Sequence, residues 1–110
     1  MIYKVRTSVD DKEKAELIAK ALVNTHAAVT CHIQEVTSIY AWEKRVDTLI
    51  EYEINAICAN LENAKKVIDA YHHYALPEFI YEEVKCSKEI KDWCMNWCKD
   101  FKKISKPIDD

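Results

Sequence analysis

In the stretch "DWCMNWCKD", residues 92–100, Cys94 and Cys98 stand one helical turn apart, so a helix there would put both thiols on one face. Two thiolates so placed, with an outside ligand, suit Cu(I) or Zn(II). The same face carries Ile90, Trp93, Trp97 and Phe101 at amphipathic spacing, and unpaired cysteine packs as a small hydrophobe. A packed face is therefore expected ahead of a ligand pair. His72 and His73 are better metal candidates, because neutral imidazole binds copper and zinc. Their competing role is to meet the carbonyls and dipole at the end of a helix. Tyr40, Trp42, Glu43, Tyr74 and Glu78 make a third set: two carboxylates beside aromatics could exchange protons if burial raised one pKa. No nucleophile–base pair or metal triad accompanies them at readable spacing, so a structural or ligand-binding role is expected, with no catalytic residue.

The elements that must position these residues follow from periodicity. "IYKVRT" at residues 2–7 alternates as a strand, and Ala15, Ile18, Ala21 and Leu22 then mark a helix capped by Ser8 or Asp10. Residues 28–42 and 46–59 form two strands of about a dozen residues each, joined by a turn at Glu43, Lys44 and Arg45. That is roughly twice the usual strand length of 5–6. The far end of this hairpin carries Val36, Ile39, Tyr40, Trp42, Val46, Leu49, Ile50 and Tyr52, more apolar area than a lone small domain covers, so an oligomer is expected. Asn60 caps a second helix that carries Ala64, Val67, Ile68 and Tyr71 on one face and ends near Tyr74 ahead of Pro77. Residues 79–86 read as the last strand, and Ser87 caps the final helix. The order β-α-β-β-α-β plus a C-terminal helix predicts an α+β ferredoxin-like split β-α-β sandwich. One domain spans residues 1–104, and the polar tail 105–110 is expected to fray.

Composition narrows the function. A net charge of -3 argues against a nucleic-acid surface, and no stretch reaches the length of a membrane helix. With no apolar leader and five cysteines, a cytoplasmic protein with reduced thiols is expected. The chain has no glycine, which removes phosphate-cradling glycine loops and leaves positive-φ positions to asparagine, aspartate or strained residues.

"AAVTCHIQEVTSIYAWEKRV" resembles a signature of the CutA divalent-cation tolerance proteins, matching at Ala27, Ala28, Val36, Thr37, Ser38, Ile39, Tyr40, Trp42 and Glu43. "HHYALPEFI" is similar to a second family motif at His72, Tyr74, Pro77, Glu78 and Ile80, and "IKDWC" to a third at Trp93. The chain departs from the pattern where Val29 replaces a cysteine, Lys44 a turn glycine, His73 a proline and Ala75 a glutamate; "AIC" at Ala56, Ile57 and Cys58 lacks the family's lysine. The resemblance implies a homotrimer, similar in architecture to PII signalling proteins, with clefts between subunits. Thr37, Ser38, Tyr40, Trp42, Glu43, Tyr74, Pro77, Glu78 and Trp93 would lie at the cleft or trimer interface, and His72 and His73 would reach copper or another divalent cation there. The expected partners are thus the chain itself and a metal ion or small ligand, with no membrane or nucleic acid. Two alternatives stay open: a small hydrolase of acylphosphatase type on the same fold, and a PII-like signalling or scaffold protein with no metal role. The first is opposed by the acidic, glycine-free "TSVDD" after Arg6.

Overall fold

The structure is a computed structural model and describes residues 1–102 of the 110; the predicted tail and the last two residues of the predicted domain lie outside the described residues. Its elements are β1 (Ile2–Val9), α1 (Lys12–Asn24), β2 (Thr30–Trp42), β3 (Arg45–Cys58), α2 (Leu61–Tyr71), β4 (Ile80–Val84) and α3 (Lys88–Cys98). The strands form one antiparallel sheet in the order β2-β3-β1-β4, the ferredoxin-like arrangement the sequence predicts.

Strand alternation divides the residues between the two faces of the sheet. Val5, Thr7 and Val9 of β1 pair with Ala56, Ile54 and Tyr52 of β3 and face α1 and α2, where Ile18, Leu22, Val67 and Ile68 complete the core. The opposite parity, Ile2, Ile57 and Ala59, meets Cys94 and Cys98 of α3 at one end of the sheet. Farther along, this second face is left open.

Several local details differ from expectation. Asp11 caps α1 by accepting from the Glu13 amide at 2.9 Å, while Asp10 turns to His73 and Ser8 belongs to β1. α2 stops at Tyr71, three residues early, because His72 adopts an extended backbone (ψ 139) and its ring is tied to β1. β4 covers only the residues that pair with β1, Ile80–Val84. On α3 only Cys94 and Cys98 are buried; Ile90 and Trp93, expected on the packed face, are 41% and 50% exposed. The short helix leans on the sheet through one narrow strip, so residues a turn away from the cysteines miss it.

Without glycine, three other residues take positive φ: His26 at 68°, Glu43 at 49° and Lys44 at 66°. Glu43 and Lys44 are the two-residue turn between Trp42 and Arg45, and two successive left-handed residues give the twist that long hairpin strands need. His26 follows α1 where glycine is usual, and its ring compensates by stacking on Trp97 at 3.6 Å while Nδ1–H donates to the Trp97 carbonyl at 2.8 Å. Trp97 in return donates its indole N–H to the Val23 carbonyl at 3.1 Å, fastening α3 to the end of α1.

Candidate functional site

A cleft of about 490 Å³ opens on the uncovered sheet face, at the base of the protruding hairpin. β2 supplies Tyr40 and Trp42, β3 supplies Leu49 and Glu51, β1 and its exit supply Ser8 and Asp10, and the α2–β4 connection supplies Tyr74, Ala75, Leu76 and Glu78. Tyr40, Trp42, Tyr74 and Glu78 were expected near such a site, and they come together. Glu43 sits on the hairpin turn, Thr37 and Ser38 lie along β2, Pro77 in the connection and Trp93 on α3, all outside the cleft lining.

The polar groups are tied into pairs. The Tyr74 hydroxyl donates to Glu51 Oε2 at 2.7 Å; burial first, and then this bond to a carboxylate, push the phenol pKa upward, so it remains a donor. Ser8 Oγ donates to Glu78 Oε1 at 3.0 Å, and Arg6 Nε approaches the same oxygen at 3.6 Å. His73 Nε2 meets Asp10 Oδ1 at 2.9 Å.

His72 is the hinge of the arrangement. Its Nε2 lies 2.8 Å from the Ser8 carbonyl, which can only accept, and the Tyr74 amide donates to its Nδ1 at 3.2 Å. The ring is therefore the neutral Nε2–H tautomer with both nitrogens engaged. Burial lowers its pKa, a larger influence than the opposing bond to Ser8. These two bonds end α2 and turn Tyr74 into the cleft.

This geometry bears directly on metal binding. Among the described residues, no three His, Cys, Asp or Glu side chains converge on a point that could hold a metal ion. His72 would ligate only after losing a bond to its own chain. His73 and Asp10 offer two donors that copper accepts, and a complete site would need further ligands from another molecule.

Glu51 was not singled out from the sequence, Leu49 was expected only among the apolar residues of the hairpin, and Ser8 and Asp10 only as possible helix caps. The signal was present for two of them: counting back from a two-residue turn pairs Leu49 with Ser38 and Glu51 with Val36, which puts both on the face of Tyr40 and Trp42.

The fold and cleft define a ferredoxin-like module extended by an over-long hairpin, with an acidic, aromatic-lined cleft at the hairpin's base. Residues 3–97 match the family model described as CutA1 divalent ion tolerance protein, and the chain belongs to that family. It is 29% identical over 101 residues to a probable divalent-cation tolerance protein cutA homolog of Encephalitozoon cuniculi, covering 89% of this chain and 88% of that one. Its fold superposes on the divalent cation tolerance protein of Thermus thermophilus with a TM-score of 0.81 at 30% identity, covering 86% and 95% of the two chains. A PII-like protein CutA from Nostoc gives a TM-score of 0.81 at 28% identity, with 87% and 96% covered. Among the described residues, no helix is long and apolar enough to cross a membrane.

Proposed function

We propose that the chain acts as a homotrimeric, non-enzymatic binding protein of divalent-ion tolerance, cytoplasmic, whose cleft is completed by a neighbouring subunit and takes a metal ion or small ligand. The observation that carries this reading is the mouth of the cleft. Trp42, 42% exposed, lines it with Tyr40, and on the opposite face of the same hairpin Ile39 and Val46 are 71% and 74% exposed. Apolar side chains left bare on both faces of a hairpin that carries a partly formed acidic cleft are supplied with cover when other copies pack on it. The names of the relatives support the link to divalent cations. For copper, His73 with Asp10 forms the better half-site, with His72 holding the connection that carries both His73 and Tyr74. The acylphosphatase reading draws no support from the site, since the Arg6 guanidinium is turned to Glu78 rather than offered to an anion.

The test is native mass spectrometry of the reduced protein with and without one equivalent of divalent copper. A trimer that gains copper in the wild type and loses it in His73→Ala supports the metal form of the reading. A trimer that stays metal-free transfers the cleft to a small organic ligand, and a monomer overturns the proposal.

A further inference from the structure

Cys94 and Cys98 play no part in the cleft, yet their sulfurs lie 4.0 Å apart, with relative exposures of 0% and 7%. We propose that this pair is a two-coordinate site for a soft monovalent cation, Cu(I), held between the sulfurs inside the packing of α3 on the sheet.

Three observations lead there. First, the pair is poorly shaped for a disulfide: side chains four apart on a helix have Cβ atoms about 5–6 Å apart, against about 3.5–4.5 Å across a disulfide. Second, two metal–thiolate bonds of roughly 2.3 Å laid end to end span about 4.6 Å, so a small opening of the present spacing admits an ion on the line between the sulfurs. Third, no set of three or more ligating side chains exists among the described residues, so the four ligands of zinc are not available, whereas Cu(I) is served by soft thiolates and needs only this pair.

Cys98 Sγ has a second partner in the Ala27 carbonyl, to which it donates at 3.8 Å and which loading must release. On loading, Cu(I) bonds to both sulfurs, the two S–H bonds break and both protons pass to solvent, and no electron is exchanged. Two thiolates and one monovalent cation leave a single negative charge where the two thiols carried none, so uptake strengthens as the pH rises. Entry needs only a local opening of α3, an eleven-residue helix whose chief partner is β3.

The experiment is anaerobic titration of the full chain with Cu(I) buffered by a colorimetric chelator, together with X-ray absorption of the loaded wild type. The expected result is one Cu(I) per chain with two sulfur neighbours and no nitrogen. Affinity should fall in Cys94→Ser and Cys98→Ser by more than the roughly 100-fold typical of losing an outer-sphere partner, and stay unchanged in Cys86→Ser. No uptake against the chelator, nitrogen neighbours in the absorption spectrum, or full retention in the double serine variant would each overturn the proposal. The absorption measurement needs no variant, so it decides even where a substitution unfolds the protein. Loss with Cys94→Ser also separates this site from the cleft, whose lining holds no cysteine.

Discussion

The two halves of β3 are built alike in sequence and live in different surroundings. Near its end, Ile54, Ala56 and Cys58 alternate into the core and are covered by α1 and α2 of the same chain. Near its start, Val46 and Ile50 continue the same face with nothing over them, beside an equally bare Ile39 on β2, while Trp42 is half exposed on the other face. Apolar patterning in a strand thus does not say what covers it, and the number of helices within reach decides how much of that cover its own chain supplies. Two helices of 13 and 11 residues span only about half of a hairpin whose strands hold 13 and 14.

The comparison is broken most strongly from the buried half. Ile54→Ala should cost about 2–5 kcal/mol of folding stability, because a fully buried aliphatic leaves a cavity that the sheet cannot close, and urea denaturation would measure it. Trp42→Ala should leave the fold of a single chain nearly intact and lower the assembly state instead, seen as a smaller mass by light scattering at unchanged circular dichroism. Loss of helix and sheet signal in that variant would place Trp42 in the core and erase the distinction between the halves. At the boundary between them, Tyr74→Phe should cost about 1 kcal/mol by removing the bond to Glu51, with its effect on ligand binding exceeding its effect on the melting temperature. At the outer end, Lys44→Gly should raise stability by about 0.5–1 kcal/mol, since glycine takes the left-handed turn position without the clash lysine suffers there.

The smallest effect is a pH slope. His72 has a folded pKa below its unfolded value of 6.5, so the unfolded chain binds the proton more readily. The stability His72 contributes is therefore present above about pH 6.5 and declines as the pH falls through and below that value. Melting temperatures between about pH 7.5 and 5.5 should drop more in the wild type than in His72→Gln, which keeps a donor for the Ser8 carbonyl without a titrating ring.

The order of elements and the excess length of the hairpin were legible in the sequence because both depend on local periodicity. The end of α2 was not, since a tertiary bond from His72 to β1 stopped the helix before the proline could. Asp10 and Asp11 are adjacent and chemically identical, so which one caps α1 is decided by His73, remote in the chain. The cleft was half legible: its aromatics stand out in any composition, while Glu51 looks like every other polar strand residue until the register is counted from the turn. α3 shows the limit of an amphipathic stripe, because spacing identified the face but not how much of it the sheet would reach.

The central claim is that the outer half of the hairpin is covered by other copies of the chain, and sedimentation velocity on the reduced wild-type protein at micromolar concentration tests it most directly. A single species at three times the chain mass, shifted toward monomer by Trp42→Ala, is the predicted result. A wild-type monomer with the hairpin folded, shown by an unchanged circular dichroism spectrum, would contradict it.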